Sequence, residues 1–308
     1  MTTATSGESI AVVICTRDRP DMLAKALARA TAALRPGDEL VVVDSASTTG
    51  DTADVARRAG ATVVRCDQPG ASRARNAGIA ATSAPIVAIT DDDCLPSTEW
   101  ITAIGRAFRG QPRLGFVTGR VDGDDPSKSL QVSLQLDDRP RGFGPDDDPT
   151  VMGHTANAAF RRAALADVGG FDELLGPGAT FRSSEDKDVF WRVVRAGWLG
   201  AYDPEVVVTH RQWRGAAEAV RLRFSYGVGS GAFAVKVARI EGRRGRRMLA
   251  DRLWAHGLRR TVDHVRSGYR SGIVASLART AGVVVGALRA VVAPIDQERF
   301  VARRRRRR

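Results

Sequence analysis

Short apolar runs alternate with segments of helical period along the first two thirds of the chain. Ser9-Ile-Ala-Val-Val-Ile-Cys15 reads as a first buried strand, and Pro20 opens a helix that sets Leu23, Leu27, Ala30 and Leu34 on one face. Pro36-Gly37-Asp38 breaks that helix, and Leu40–Val43 forms a second strand ending at Asp44. A helical stretch over 51–59, a strand over 62–66, a helix over 71–81 and the run Ile86-Val-Ala-Ile89 ending at Asp91 continue the alternation. β-branched runs without polar alternation suit strands covered on both faces, so the pattern predicts a parallel sheet flanked by helices.

Further along, 99–109 reads as a helix, 114–118 as a strand, and 153–160 as an ordered stretch followed by a helix ending near Gly169-Gly170. Residues 121–150 are rich in Asp, Gly and Pro without a period, and read either as a lid or as disorder. Ser183-Ser-Glu-Asp-Lys-Asp188 begins another helix, with Val189, Trp191 and Val193 facing inward.

Charge changes the picture sharply at the carboxyl-terminal third. The net charge is +12, but residues 211–308 hold 24 Lys and Arg against 6 Asp and Glu, so the first 210 residues are acidic on balance. That asymmetry points to an anionic partner for the tail. On a helical wheel Ile273, Val274, Leu277, Ala281, Val284, Val285, Leu288, Val291 and Val292 share one face, with Ser276, Arg279 and Arg289 opposite and Val283 the exception. Arg279 and Arg289 interrupt the run, so no uncharged stretch is long enough to span a bilayer. The helix either packs on the domain or lies in a membrane interface. The arginines at 243–247 and 303–308 favour an anionic membrane surface bound through 273–308. A nucleic-acid partner is disfavoured, because the tail lacks interleaved aromatics and any recognised binding module.

Three scattered cysteines, Cys15, Cys66 and Cys94, form no C-x-x-C pair and predict reduced, buried thiols rather than a zinc site or a disulfide. The amino terminus has neither a basic n-region nor an apolar h-region, so no signal peptide is expected. No G-x-G-x-x-G follows the first strand, which disfavours a nicotinamide dehydrogenase. Gly227-Val-Gly-Ser-Gly231 follows no strand and reads as close helix packing or a joint.

The candidate chemistry lies at strand ends, where sheets of this kind bind ligands. Thr16-Arg-Asp-Arg19, Asp44-Ser-Ala-Ser47 and Asp91-Asp-Asp93 mix cations, hydroxyls and carboxylates, a set suited to a nucleotide. Three adjacent carboxylates repel one another unless a cation sits among them, and a divalent ion with oxygen ligands is the simplest candidate. The other reading is a solvated acidic turn capping the helix that begins near Pro96-Ser-Thr-Glu99. The cluster at 183–188 is open in the same way, between a second carboxylate site and a helix cap.

In combination these motifs resemble the family 2 glycosyltransferases with a GT-A fold. The likeness runs through Cys-Thr-Arg-Asp-Arg-Pro (15–20), Val-Val-Val-Asp-Ser-Ala-Ser (41–47), Ala-Arg-Asn-Ala-Gly (74–78) and Asp-Asp-Asp (91–93). It continues through Val-Gly-Gly-Phe-Asp-Glu (168–173), Glu-Asp-Lys-Asp (185–188), Arg192 and Gly197. It implies a GT-A domain over 1–215, with a nucleotide-binding half about 9–95 and an acceptor half about 96–215, and a basic helical extension over 216–308. It implies that Thr16, Arg19, Asp44, Arg75, Asn76, Asp91 and Asp92 line a nucleotide-sugar site. Asp91 and Asp93 become the ends of a D-x-D motif that binds Mn²⁺ or Mg²⁺, and Asp186 the general base, with Glu185 the second choice. His210 looks similar to a late histidine that completes the metal site in some members; a structural histidine is the alternative.

The implied activity is inverting transfer of a sugar from a nucleotide donor to a hydroxyl, with a glycan or lipid-linked acceptor, at the cytoplasmic membrane face. Ser45 and Thr49 stand where many relatives carry acids, which leaves the base and ribose contacts open. The competing readings are a sugar nucleotidyltransferase, whose glycine-rich amino-terminal loop is missing, and a catalytically silent membrane-bound scaffold.

Overall fold

A computed structural model describes residues 8–127 and 132–302. The chain divides into two compact units: one runs up to Phe171 and includes Val189–Gln212, the other comprises Asp172–Asp188 and the chain from Trp213 onward. Residues 172–188, which the sequence places in the 1–215 domain, thus belong with the carboxyl-terminal helices.

The first unit is built on a nine-stranded sheet, with strands β1 (Ile10–Thr16), β2 (Glu39–Ser45), β3 (Thr62–Cys66), β4 (Ile86–Asp91), β5 (Cys94–Pro96), β6 (Leu114–Gly123), β7 (Arg141–Phe143), β8 (Asn157–Arg161) and β9 (Leu199–His210). Their order is β3-β2-β1-β4-β8-β6-β9-β5, with β7 also on β9. The β3-β2-β1-β4 half is parallel, as is β6 with β9, whereas β8, β5 and β7 run antiparallel to their neighbours. Helices α1 (Pro20–Ala33), α2 (Asp51–Arg58), α3 (Ala71–Ala80), α4 (Trp100–Phe108), α5 (Arg162–Asp167) and α6 (Glu185–Arg195) connect the strands.

Why the apolar runs lack alternation is visible in the two cores. Ile10, Val12 and Ile14 of β1, Val42 of β2 and Ala88 of β4 pack with α1 and α4 on one face. Val13, Val41, Val43, Val87 and Ile89 from the same strands pack with Ala74, Leu165, Val189, Phe190 and Val193 on the other. Period-two side chains therefore feed both cores, and neither face is left to water. At the β6–β9 register shift beside Gly119, Asn157 Nδ2 donates to the carbonyls of Arg120 (2.8 Å) and Val206 (2.7 Å), satisfying groups the ladder leaves over.

The 121–150 stretch is tied down where it is described. Val121 exchanges backbone hydrogen bonds with Gln135, Tyr202 Oη donates to the Asp137 carbonyl at 2.5 Å, and β7 adds an edge to β9. Residues 128–131 lie outside the described part.

The second unit is helical. It holds α7 (Ala216–Glu241), α8 (Arg243–Leu253), a π-helical turn Trp254–Arg259, α9 (Arg260–Arg266), α10 (Arg270–Val291) and a hairpin of β10 (Ile295–Asp296) and β11 (Arg299–Phe300). Its core gathers Leu175, Phe181, Ala232, Val235, Ala290 and Phe300, with the Phe181 and Phe300 rings 4.5 Å apart. The glycine cluster in α7 is a helix-packing device. A Cβ on Gly231 would meet the Val283 carbonyl oxygen at 2.1 Å, and one on Gly286 the Val228 carbonyl oxygen at 1.9 Å, so α7 and α10 pack backbone to backbone.

That packing settles which face of α10 points outward. Gly272, Ser276, Gly282, Val283, Gly286 and Ala290 are buried, whereas Val274, Leu277, Val284, Leu288, Val291 and Val292 are exposed. By length and composition alone, α10 is long and apolar enough to cross a membrane, although it holds no uncharged run of that length. The run Arg303–Arg308 lies outside the described residues.

Candidate active site

The register aligns the chemistry along one edge of the first unit. Thr16 pairs with Asp44 across β1 and β2, and Cys15 with Asp91 across β1 and β4, so the three strand ends stop at one level. The loops that follow turn through left-handed residues that are not glycine, Asp18 (φ 53°) and Ala46 (φ 59°). Such positions cost about 1 kcal/mol or more and persist where surroundings enforce them. Here Asp18 N donates to Ser47 Oγ at 2.9 Å, and Thr48 donates to Asp18 Oδ1 from both N (2.6 Å) and Oγ1 (2.9 Å). The two loops brace each other.

The three aspartates separate by role. Asp92 turns inward and accepts from Thr16 Oγ1 (2.8 Å) and Arg19 Nη1 (3.0 Å). Burial pushes its pKa up to about 6, the neighbouring Asp93 and Asp91 add to the rise, and Arg19 and Thr16 oppose it. Asp91 is partly exposed and accepts from Arg75 Nη2 at 3.0 Å. Asp93 is buried, with Oδ2 4.0 Å from Arg19 Nη1 and Oδ1 3.5 Å from His210 Nε2.

The helix-cap reading of the triplet fails on this geometry. Cys94–Pro96 is the short strand β5 paired with β9, Cys94 stands opposite His210, and α4 begins only at Trp100. Gln212 Nε2 lies 3.0 Å from His210 Nδ1, and the same amide accepts from Val132 N (3.0 Å) and donates to Val132 O (3.2 Å), which fixes the imidazole.

Asp93, Cys94 and His210 have donor atoms within 4.8 Å of one another. Burial and the adjacent Asp91 and Asp93 charges raise the Cys94 pKa well above the usual thiol range, and Sγ donates to Asp93 Oδ1 at 3.9 Å. The hard donors of the group are carboxylate and imidazole. Ligands about 2.1 Å from one ion, at right angles, stand about 3 Å apart. The Asp93–His210 gap of 3.5 Å is close to that spacing, so this donor set fits a divalent ion such as Mn²⁺ or Mg²⁺.

Asp44 has both oxygens engaged, Oδ1 by Ser47 N (3.0 Å) and Oδ2 by Arg65 Nη1 (2.6 Å). Arg65 also donates to Ser47 O at 3.0 Å, and sequence reasoning missed it; a lone arginine in an otherwise apolar strand was the available signal. Ser45, in place of a second acid, accepts from Gly70 N at 3.2 Å and braces the start of α3. Asn76 accepts from Phe171 N (2.8 Å) and donates to Phe171 O (3.0 Å), so its amide holds the Gly170-Phe171 turn.

In the second unit, Glu185 and Asp186 open α6 and are both buried. They follow two further left-handed residues, Arg182 (φ 60°) and Ser184 (φ 70°). Ser183 does not cap the helix through its hydroxyl, which donates to the Ser225 carbonyl of α7 at 3.1 Å. One turn into α6, Asp188 accepts from Lys236 Nζ at 2.6 Å, and Lys236 also donates to Asp172 Oδ2 at 2.5 Å. All three side chains are fully buried, and Phe300 N donates to Asp172 Oδ2 at 2.7 Å. A lone lysine inside the apolar run Gly231–Ala238 is the sequence signature of such a buried pair.

The glycosyl transferase family 2 model matches residues 11–169, just over half of the chain and the whole stretch from β1 through α5. The chain belongs to glycosyl transferase family 2. It is 30% identical over 243 residues to a pre-mycofactocin glycosyltransferase of Mycobacterium tuberculosis, covering 75% of this chain and 48% of that one. It thus spans about half the length of that relative. It is 25% identical to the glycosyltransferase AglE of Haloferax volcanii, over 80% of this chain and 79% of that one. Its fold is that of the mannosyltransferase PcManGT from Pyrobaculum calidifontis, solved with GDP-Man and Mn²⁺ (TM-score 0.62, 20% identity, 92% and 88% covered). It also matches S. aureus TarS 1-349 solved with UDP-GlcNAc (TM-score 0.55, 14% identity, 91% of each chain). The GT-A architecture expected from the sequence is the one found.

Proposed function

We propose that this family 2 protein transfers a sugar from a nucleotide-sugar donor to an acceptor hydroxyl with inversion at the anomeric carbon. The observation that carries the reading is the acid row at the β4–β5 junction, with Asp93 set 3.5 Å from His210 beside a partly exposed Asp91. Asp91, Asp93 and His210 would hold Mn²⁺ or Mg²⁺, which supplies charge neutralisation for the departing diphosphate. Two proteins of this fold were solved with nucleotide sugars, one of them with Mn²⁺, and that supports the donor class.

The chain's own residues do the rest in this reading. Thr16 and Arg19 fix Asp92, and the partly exposed Arg19 brings its positive charge to the donor phosphates. Asp44, held by Arg65, stands at the strand end where a ribose or base edge binds. Arg75 orients Asp91, and Asn76 serves by holding the 170–171 turn. Asp186 takes the proton from the acceptor hydroxyl, with Glu185 as the alternative base, and such catalysis contributes on the order of 10²–10⁴ in rate.

We further propose that the second unit holds the enzyme at the cytoplasmic membrane face, where a glycan on a lipid carrier is the acceptor class. The outward apolar face of α10 supports this, since its large side chains Val274, Leu277, Val284, Leu288 and Val291 are exposed. The test is product analysis: incubation with nucleotide sugars and Mn²⁺ should release nucleoside diphosphate and yield a product of inverted anomeric configuration. Retained configuration, or release of pyrophosphate instead, would refute the reaction.

A further inference from the structure

Helix α7 is held on two sides. Gly227, Val228 and Gly231 lie against α10, where a Cβ on Gly227 would meet the Arg279 carbonyl oxygen at 2.1 Å. Ser225, Gly229, Ala232 and Lys236, spaced four, three and four residues apart, line the other side of the helix. That second stripe packs on the segment 172–188, which carries Glu185 and Asp186.

The contacts follow the stripe in chain order. The Ser225 carbonyl accepts from Ser183 Oγ at 3.1 Å. Gly229 leaves room for the Ser183 backbone: a Cβ there would stand 2.0 Å from Ser183 Oγ and 2.4 Å from the Ser183 carbonyl oxygen. Glycine is disfavoured inside a helix, so the position is occupied for the space it leaves. Ala232 shares a core with Leu175 and Phe181 of the same segment. Lys236 ends the stripe and donates to Asp172 Oδ2 (2.5 Å) and Asp188 Oδ1 (2.6 Å), the first and last residues of the segment. The Phe300 ring covers this ammonium, with Nζ 4.6 Å from the ring centroid.

These anchors bracket Asp186. Ser183 is fixed before it and Asp188 after it, and the backbone between them passes through the left-handed Ser184 (φ 70°). Such a conformation persists in a residue other than glycine where its surroundings enforce it, and the α7 contacts on either side supply that enforcement. Asp186 Oδ1 accepts from Lys187 N at 2.8 Å, so the carboxylate is tied to the same stretch of backbone.

We propose that Gly229 and Lys236 are positioning residues for Asp186, and that α7 aims the base by seating the backbone on either side of it. The inference rests on the general-base reading above and adds the element that places the base. A methyl at position 229 must push Ser183 back, and a displacement of about 1 Å at a reacting group costs about 10²-fold in rate.

The experiment compares Gly229→Ala with Gly231→Ala in the full chain. Both add one methyl to α7, but at position 231 it meets the Val283 carbonyl oxygen of α10 at 2.1 Å. A purely structural role for Gly229 predicts that the two variants behave alike. Turnover is read, with Mn²⁺, as release of nucleoside diphosphate from whichever of GDP-mannose, UDP-glucose and UDP-N-acetylglucosamine wild type cleaves fastest. Gly229→Ala should lower kcat about 10²-fold with the donor KM unchanged. Gly231→Ala should melt lower than wild type and keep kcat within about twofold. In an Asp186→Asn background Gly229→Ala should cost nothing further, because a residue that acts through the base loses its effect once the base is gone. Hydrogen exchange over 183–188, a readout independent of activity, should quicken in Gly229→Ala and stay unchanged in Gly231→Ala. Ser183→Ala removes one hydrogen bond without a clash and should lower kcat about 2–10-fold, which keeps the test open if Gly229→Ala does not fold.

Equal kcat for Gly229→Ala and Gly231→Ala, or an undiminished loss from Gly229→Ala in the Asp186→Asn background, would overturn the positioning role and leave the base reading standing. So would wild-type kcat and wild-type exchange over 183–188 in Ser183→Ala. Wild-type turnover in Asp186→Asn would remove the base reading and this inference with it.

Discussion

His210 Nε2 lies 3.5 Å from Asp93 Oδ1, with the far side of the imidazole steadied by Gln212. Asp93 lies in the turn between β4 and β5 and His210 at the end of β9, and β5–β9 pairing sets Cys94 opposite His210 to bring the two together. Loss of the carboxylate should therefore remove metal-dependent donor binding. Asp93→Ala should weaken Mn²⁺-dependent nucleotide affinity by more than the roughly 10–100-fold that loss of an outer partner costs a metal site. Gln212→Leu should fall within that 10–100-fold range, with no change in the chelated protein. Calorimetric titration with and without Mn²⁺ measures both.

Asp186→Asn should lower turnover by about 10²–10⁴ and leave donor binding intact, because an amide keeps the shape and loses the basicity. Glu185→Gln should cost less in kcat. Near wild-type turnover for Asp186→Asn with a large loss for Glu185→Gln would transfer the role to Glu185.

Lys236 pairs with two fully buried carboxylates, Asp172 and Asp188, that tie the 172–188 segment to α7. Lys236→Met leaves both acids buried and facing each other. The expected cost is about 3–5 kcal/mol, read as a fall in the urea midpoint. A fall below about 1 kcal/mol would mean that water reaches the pair.

Gly286→Ala sets a methyl 1.9 Å from the Val228 carbonyl oxygen, a backbone atom that cannot swing aside. Helices α7 and α10 must then separate, at a cost of about 1–3 kcal/mol or more, visible as a lower melting temperature. Ala287→Ser, one residue along and half-buried, should change it little.

Much of the first unit was legible because its signals are local. Val41-Val42-Val43 and Ile86-Val87-Ala88-Ile89 are buried on both faces, and no other element fits so short and uninterrupted an apolar run. The strand ends at Asp44 and Asp91 followed from the same runs. Where pairing is long-range, the sequence was silent. Nothing near Cys94-Leu95-Pro96 announces a strand, since its partner lies at 208–210, and Arg65, Gln212 and Lys236 acquire meaning only through residues 18 to 80 positions away. The wheel of α10 separates its large apolar residues from its small ones, but nothing in it says which side packs. The small-residue side is the one that does, because glycines let a neighbouring backbone approach and leave no bulky side chain to mark the contact.

The central claim is a metal-assisted nucleotide-sugar site at the carboxyl edge of the sheet. It is tested most directly by titrating uridine, guanosine and thymidine diphosphates into the protein with Mn²⁺, and again after chelation. The account predicts that one diphosphate binds tightly with Mn²⁺, that chelation abolishes the binding, and that Asp93→Ala reproduces the chelated result. Folded protein that binds none of them, or that binds one equally well without metal, would contradict it.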